Sequence, residues 1–126
     1  MGEWNVITSE RYDIWLKEQS EDDQVVILGK VYLLEEYGPS LARPYADTLK
    51  GSKKLANLKE LRARTDNHIF RVTFIFDSEQ NGLLLTGGDK KGKNEKKFYK
   101  DLIRESEQIY AAYLEKKTGI AKENKK

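Results

Sequence analysis

The stretch IFRVTFIF, at residues 69–76, has a large apolar residue at every second position from Phe70, and the positions between them include the polar residues Arg71 and Thr73. Successive side chains of a β-strand point to opposite faces of a sheet, so a period of two residues predicts a strand. One face of this strand is apolar and consists of Phe70, Val72, Phe74 and Phe76. Arg71 lies on the opposite face, where a charged group in mid-strand needs a partner. The stretch therefore predicts a strand that packs its aromatic face on helices and turns Arg71 away from them.

Two similar runs flank this strand, Leu58–Arg64 before it and Leu83–Gly88 after it. Turn residues separate the runs, and Asn81-Gly82, at the end of the turn segment 77–82, is a typical hairpin-turn pair. Connections this short join antiparallel neighbours. We therefore predict a three-stranded antiparallel meander.

The other predicted elements are a strand at residues 4–8, helices from the Thr8–Ser9 cap to about 19, at 20–38 and at 94–117, and a connecting segment at 39–56. Ser20 is the expected N-cap of the second helix, and Gly38-Pro39 ends it. This order predicts a single α+β domain over residues 1–126. Its antiparallel-rich sheet, made of the N-terminal strand and the meander, carries two N-terminal helices and a C-terminal helix on one face. Residues 118–126 are expected to form a disordered basic tail.

The composition excludes several classes of function. The 126 residues include no cysteine and one histidine, which excludes a disulfide scaffold, a thiolate nucleophile and metal sites built from cysteines or several histidines. No apolar run approaches the ~18 residues of a membrane span, and the N-terminus has no signal-peptide pattern. We therefore expect a cytoplasmic protein without metal sites of these kinds, and we assign it no cofactor.

The net charge of +2 is the sum of two segments with opposite net charge. Residues 1–49 contain four Lys/Arg and ten Asp/Glu, a charge of −6, whereas residues 50–126 contain nineteen and eleven, a charge of +8. The basic residues concentrate in segments 50–54 and 90–97. Such a surface favours a polyanion, because each cation that neutralises a phosphate releases a counterion. A solvated lysine-rich surface explains the charge equally well.

The alternation also predicts a polar face around Arg71. Its expected members are Glu60, Arg62, Arg71, Thr86 and Lys90. This assignment requires Leu61, Leu83 and Leu85 to lie on the helix-packed face. A carboxylate among several cations fits acid–base chemistry on a phosphodiester. Glu60 and Arg62 also fit a salt bridge on a solvated face, and this alternative stays open.

Two further features are weaker. His68 begins a strand beside a turn, and a surface histidine is the favoured interpretation. Gly87-Gly88-Asp89 suggests a phosphate-binding nest, but no helix follows it at once and no GK[ST] pattern is present.

Several short motifs occur together in the chain: Tyr37-Gly38-Pro39-Ser40, Arg43-Pro44-Tyr45, Asp47-Thr48-Leu49-Lys50-Gly51, Asn57-Leu58-Lys59-Glu60-Leu61-Arg62, Phe70-Arg71-Val72 and Gly87-Gly88-Asp89-Lys90. In combination, over about residues 20–114, they resemble the phage Gp49-like, HigB-type toxins of the RelE/ParE superfamily. The resemblance implies a RelE-like fold and a type II toxin–antitoxin toxin in the bacterial cytoplasm. The implied partners are a HigA-type helix-turn-helix antitoxin and the ribosome with its mRNA. Operator DNA would be contacted only through the antitoxin, and no membrane is involved.

The resemblance also implies a reaction, the metal-free cleavage of mRNA on the ribosome by attack of the RNA's own 2′-hydroxyl on the adjacent phosphate. The residues that it implies as catalytic are Glu60, Arg62, Arg71, Lys90 and Tyr99. Arg71 would contact the scissile phosphate, Glu60 would be the base and Lys90 would serve the developing charge or the leaving group. Tyr99 would stack on a base or assist the 2′-hydroxyl. The general acid stays open, because the last strand lacks the terminal histidine of some HigB toxins.

Further lysines and arginines are expected to bind RNA phosphates: Lys50, Lys53, Lys54, Lys59, Arg64, Lys91, Lys93, Lys96 and Lys97. Two alternatives keep the same fold. One is a ParE-like toxin that inhibits DNA gyrase without cutting nucleic acid, and the other is an inactive copy that only binds its antitoxin. The presence of Glu60 together with Arg71 and Lys90 favours the nuclease.

Overall fold

The computed structural model describes residues 4–124 of the chain. Its elements are β1 (Asn5–Thr8), α1 (Glu10–Lys17), α2 (Glu21–Tyr37), a 3₁₀ turn (Gly38–Ser40), β2 (Ala46–Thr48), β3 (Lys59–Arg64), β4 (Ile69–Phe76), β5 (Asn81–Asp89) and α3 (Glu95–Asn124). The strands form one sheet in the order β1-β5-β4-β3-β2, in which β1 is parallel to β5 and the other neighbours are antiparallel. The predicted α+β class, the meander and the place of the N-terminal strand in the same sheet are confirmed.

Serine side chains start the first two helices, as the sequence predicts. Ser9 Oγ accepts a hydrogen bond from the backbone N–H of Tyr12 at 3.0 Å, and Ser20 Oγ accepts one from Asp23 at 3.1 Å. These caps satisfy N–H groups that have no partner inside the helix. Ser9 Oγ also donates to the carbonyl of Leu85 at 2.5 Å, which ties the start of α1 to β5.

Helices lie on both faces of the sheet, which corrects the prediction of a single covered face. α1 and α2 cover the aromatic face of β4, with Leu84 in the same cluster. α3 covers the opposite face, where it packs with Leu83 and Leu85. The prediction that these two leucines face the first two helices is therefore wrong. Leu83, Leu84 and Leu85 are consecutive, so both faces of β5 are apolar. In addition, the pairing of β4 with β5 shifts register between Thr73 and Phe74, which changes which residues of β5 share a face with a given residue of β4.

The turn between β4 and β5 also differs from the prediction. Asn81 and Gly82 are the first residues of β5, and the residue with positive φ is Gln80, at 63°. The Asp77 carboxylate holds the turn, because its Oδ1 accepts the backbone N–H groups of Glu79 at 2.8 Å and of Asn81 at 2.9 Å. An aspartate that bonds the backbone two residues on is a common alternative to an Asn-Gly turn.

Two other boundaries were not predicted. β2 lies within the segment 39–56, where three residues are too few for an alternation to show. α3 continues to Asn124, beyond the predicted end at about Lys117. Residues 125 and 126 of the predicted disordered tail lie outside the described residues.

The glycine pair of β5 allows close packing of two helices. A Cβ on Gly87 would lie 2.5 Å from the ring of Trp15 in α1, and one on Gly88 would lie 3.0 Å from the ring of Phe98 in α3. Both glycines belong to an extended strand, which does not form an anion nest. The phosphate-nest interpretation of Gly87-Gly88-Asp89 is therefore wrong.

In the described part of the chain, no helix is long and apolar enough to cross a bilayer.

Candidate active site

Glu60, Arg71 and Tyr99 form a cluster on the sheet face that α3 covers. The Tyr99 hydroxyl donates to Glu60 Oε1 at 2.7 Å. Arg71 Nε donates to the Tyr99 hydroxyl at 3.2 Å and lies 3.4 Å from Glu60 Oε1. Glu60 is 6% exposed and Arg71 is 5% exposed. Buried charged groups are usually paired, and here Glu60 and Arg71 lie beside each other as an ion pair.

Strand register brings the two charged residues together. β3 and β4 are antiparallel neighbours in which Glu60 is opposite Thr73 and Arg62 is opposite Arg71. Glu60 and Arg71 are therefore diagonal neighbours on one face. Tyr99 comes from the N-terminal end of α3, which crosses the same face. The cluster thus depends on α3, the helix that was predicted to lie on the other face of the sheet.

Arg71 and Glu60 have hydrogen-bonding groups left that could bind a ligand. Arg71 Nη1 donates to the carbonyl of Phe70 at 3.0 Å, and the guanidinium has further N–H donors. Glu60 Oε2 makes no hydrogen bond with any residue that the structure describes. A phosphate oxygen can therefore accept from Arg71 while a hydroxyl proton passes to Glu60.

The Tyr99 hydroxyl is the hydrogen-bond donor to Glu60 in this arrangement. Burial raises the pKa of Tyr99 to about 12, the hydrogen bond to Glu60 acts in the same direction, and the hydrogen bond from Arg71 opposes them. The hydroxyl is therefore protonated at neutral pH. Tyr99 therefore bridges the carboxylate and the guanidinium as a neutral hydroxyl.

Lys90 borders the cluster through the aromatic ring. Its Nζ lies 5.5 Å from the centroid of the Tyr99 ring and donates to Glu95 Oε1 at 2.8 Å. That hydrogen bond lowers the pKa of the Glu95 carboxyl. Within residues 4–124 no ion pair joins Lys90 to Glu60. Glu95 is a neighbour that sequence reasoning missed, because Lys90 follows β5 whereas Glu95 begins α3, and no periodicity relates the two residues.

Arg62 lies beside Arg71 on the adjacent strand but has a different environment. Its backbone N–H donates to the carbonyl of Tyr45 at 2.8 Å. Its Nε is buried and has no hydrogen-bond partner among the described residues. The salt bridge between Glu60 and Arg62 that the sequence left open is not formed in this structure, because Glu60 pairs with Arg71 instead.

A groove of about 300 Å³ opens at this end of β3, and we call it the β3-end groove. It is lined by Lys30, Pro44, Tyr45, Arg62, Ala63, Arg64 and Arg71. The lining contains four cationic residues and no carboxylate. Lys30 and Tyr45 were missed, because the α2 helix and the segment before β2 meet β3 only in the folded chain.

The predicted RNA-binding residues fall in separate places. Three of them are exposed in the loop between β2 and β3: Lys50, Lys53 and Lys54. Four others are exposed around the start of α3: Lys91, Lys93, Lys96 and Lys97. The first loop is tied to α3, since Ser52 Oγ donates to Glu107 Oε2 at 2.7 Å. Arg64 lines the β3-end groove, whereas Lys59 alternates with Glu60 and lies on the opposite face from the cluster.

The remaining polar residues that the sequence singled out bind elsewhere. Thr86 lies on the face of Arg71, as predicted, but its hydroxyl donates to Glu105 of α3. His68 Nδ1 lies 2.6 Å from Asp89 Oδ2, and its Nε2 lies 3.4 Å from Asp23 of α2. His68 therefore connects β4 to β5 and to α2 as a structural residue. No group of three or more His, Asp or Glu in the described ranges could hold a metal.

Comparisons with known proteins identify relatives of the chain. Residues 14–111 match the family described as "Phage derived protein Gp49-like". Two similar proteins come from Mycobacterium tuberculosis (strain ATCC 25618 / H37Rv). The one named "Putative toxin HigB2" is 30% identical over 106 residues, which cover 83% of this chain and 52% of that protein. The one named "Putative toxin HigB3" is 33% identical over 114 residues, which cover 90% and 96%.

The solved structures show the same architecture. A chain of the archaeal RelE-RelB complex from Pyrococcus horikoshii OT3 matches with a TM-score of 0.52 and 18% identity, over 73% of this chain and 99% of that chain. The fold is thus that of the RelE class. The chain belongs to the phage-derived Gp49-like family, and its relatives include two proteins named as putative HigB toxins. It spans about half of HigB2 and almost all of HigB3.

Proposed function

We propose that this protein is the toxin of a type II toxin–antitoxin system and a ribosome-dependent mRNA endonuclease of the bacterial cytoplasm. The observation that carries the proposal is the buried ion pair of Glu60 and Arg71, bridged by Tyr99. It puts a proton acceptor directly beside a cation, which is what attack of a 2′-hydroxyl on a phosphate requires.

In the proposed reaction, Glu60 takes the proton of the 2′-hydroxyl. The bond from the 2′-oxygen to phosphorus then forms and the bond from phosphorus to the 5′-oxygen breaks, which leaves a 2′,3′-cyclic phosphate and a 5′-hydroxyl end. Arg71 neutralises the charge on the phosphorane oxygens, and Lys90 serves the departing 5′-oxygen with its charge or its proton. Arg62 binds phosphate next to Arg71. Tyr99 positions Glu60 and Arg71.

The lysines of the two basic segments bind RNA phosphates in this proposal. One segment lies in the loop before β3 and the other at the start of α3, and these two elements supply Glu60 and Tyr99. Because they neutralise phosphates without touching the scissile bond, they set affinity and its salt dependence and not the position of the cut.

A HigA-type helix-turn-helix antitoxin is the proposed partner, and operator DNA is contacted through it. The structural neighbour from Pyrococcus horikoshii is described as a RelE-RelB complex. Residues 1–49 carry a charge of −6, and Val25 and Tyr32 of α2 are 70% and 73% exposed. An acidic surface with exposed apolar side chains suits a protein partner better than it suits RNA.

Primer extension on mRNA in a translating extract, with and without ribosomes, tests the proposed activity. The wild type should produce new mRNA ends only when ribosomes are present, and Lys17→Ala, an exposed change on α1, should behave in the same way. A supercoiling assay with DNA gyrase runs in parallel. Intact mRNA together with inhibited supercoiling would contradict the nuclease and support the gyrase inhibitor.

A further inference from the structure

The β3-end groove is built by a backbone contact that the proposed reaction does not use. β2 pairs only with residues 59–61 of β3, so the Arg62–Arg64 end of β3 extends past it. The carbonyl of Tyr45 accepts the N–H of Arg62 at 2.8 Å, which places the two residues side by side. Arg43 and Asp47 form an ion pair at 2.8 Å on either side of Tyr45 and hold this segment.

The charges in the groove are not neutralised from within its lining. Lys30, Arg62, Arg64 and Arg71 all line it, and no carboxylate does. The buried Nε of Arg62 has no acceptor among the described residues. A buried N–H donor without an acceptor costs free energy, and an anionic ligand would remove that cost. The groove is therefore suited to a phosphate.

An aromatic ring forms one wall of the same groove. Tyr45 is 41% exposed, and Lys30 Nζ lies 5.3 Å from the centroid of its ring. Exposed aromatic rings beside cations bind single-stranded nucleic acids, because bases stack on the ring while the cations hold the backbone. A free phosphate has no aromatic group that could stack on Tyr45. The cationic lining and the exposed ring together therefore favour a nucleotide within a strand.

We propose that the β3-end groove is a subsite for the nucleotide next to the scissile bond. Its phosphate binds between Arg62 and Arg64, and its base stacks on Tyr45. Arg71 borders both this groove and the carboxylate of Glu60, so one strand can occupy both sites. The assignment of RNA as the ligand rests on the proposed function, whereas the binding of a single strand in the groove does not depend on cleavage.

The test measures binding of a short 2′-deoxy oligonucleotide, which cannot be cleaved because it lacks the attacking hydroxyl. Tyr45→Ala should weaken binding by about 5- to 150-fold, the usual range for loss of one stacked base. Tyr45→Phe keeps the ring and should bind like the wild type. Tyr32→Ala, which removes an exposed tyrosine from α2, is the matched control and should also have no effect.

The phosphate contact is tested by the salt dependence of the same binding. Arg64→Ala should lower the slope of log Kd against log salt by about 0.7, the value for one phosphate of a single strand. Lys17→Ala should leave the slope unchanged. Inorganic phosphate, as a second probe, should bind more weakly than the oligonucleotide and be insensitive to Tyr45→Ala.

Two results would overturn the subsite. One is binding of the oligonucleotide by Tyr45→Ala and Arg64→Ala with the wild-type affinity and slope. The other is oligonucleotide binding no tighter than that of inorganic phosphate. Failure of the proposed function looks different: if the wild type cuts no mRNA but binds the oligonucleotide through Tyr45 and Arg64, the nuclease is wrong and the subsite stands.

Discussion

Glu60 Oε1 accepts a hydrogen bond of 2.7 Å from the hydroxyl of Tyr99, a residue 39 positions away in the chain. This contact joins β3 to α3 directly above Arg71. It exists only because α3 crosses the sheet face opposite α1 and α2. The helix that completes the hydrophobic packing of this face also completes the cluster of polar groups on it.

Glu60→Gln should abolish most cleavage, and because it leaves Arg71 buried without its counter-charge, cleavage is measured after an unfolding curve shows that the variant is folded. Glutamine has nearly the same shape and still accepts the Tyr99 hydrogen bond, but it cannot take the proton of a 2′-hydroxyl. Single-turnover cleavage of mRNA in a translating extract should slow by roughly 10²- to 10⁴-fold. Glu10→Gln, at an exposed position of α1, is the control. Cleavage by Glu60→Gln at the wild-type rate would exclude Glu60 as the base.

Tyr99→Phe should lower the cleavage rate with little change in KM, because it removes the bridging hydroxyl and leaves the RNA-binding cations in place. Loss of the hydrogen bonds should lower the free energy of unfolding by about 1 kcal/mol. Denaturant unfolding and cleavage kinetics on one preparation measure both effects. An unchanged rate at saturating substrate would show that Tyr99 does not position the reacting groups.

Tyr99 should also make stability depend on alkaline pH. Its pKa is raised from 10.0 to about 12 in the folded state, so its contribution is complete below pH 10 and is lost as the pH rises toward 12. Tyr12, whose pKa burial also raises to about 12, acts in the same direction. Between pH 9 and pH 12, the free energy of unfolding should therefore fall less steeply with pH for Tyr99→Phe than for the wild type. The same pH dependence in both proteins would contradict the raised pKa of Tyr99.

Asp89→Asn should destabilise the fold at neutral pH and less so in acid. Burial opposes ionisation of Asp89, but hydrogen bonds from Ile69, His68 and Lys91 outweigh it and lower the pKa below 3.8. The contribution is thus present above pH 4 and is lost as the pH falls through the folded pKa. We expect a loss of about 1 kcal/mol at pH 7, since the carboxylate is partly exposed. Asp66→Asn, at an exposed turn, should change stability little, and an equal loss for both variants at every pH would contradict the assignment.

Gly87→Ala should destabilise the protein by about 1–3 kcal/mol, because the added Cβ would lie 2.5 Å from the ring of Trp15. Gly29→Ala is the matched comparison, since a Cβ on Gly29 meets nothing within 4 Å. That change in the middle of α2 should stabilise the protein by roughly 0.5–1 kcal/mol. Thermal unfolding of both variants checks the opposite signs, and a neutral Gly87→Ala would show that α1 does not approach β5 so closely.

Local patterns account for the elements that were predicted well. The alternation at Ile69–Phe76 identified β4 to the residue, and Ser9 and Ser20 marked the starts of two helices. These features depend on neighbours in the sequence. The phase of β5 could not be predicted, because Leu83, Leu84 and Leu85 satisfy either face.

The side of the sheet that α3 covers is a tertiary property. The apolar stripe of a helix shows which of its residues are buried, but not against which face. For the same reason, sequence reasoning placed Glu60, Arg62 and Arg71 on one face but did not find that Tyr45 and Lys30 meet Arg62. The resemblance named Tyr99, and the structure shows the hydrogen bonds that join it to Glu60 and Arg71.

Arg71 is the residue on which the proposed reaction depends most, so its removal is the decisive measurement. The cleavage rate of Arg71→Ala in a translating extract is compared with that of Lys17→Ala, after unfolding curves confirm that each is folded. Cleavage slower by about 10²- to 10³-fold in Arg71→Ala is expected for the loss of one donor to the transition state. A folded Arg71→Ala that cuts mRNA as fast as Lys17→Ala would contradict the proposed site.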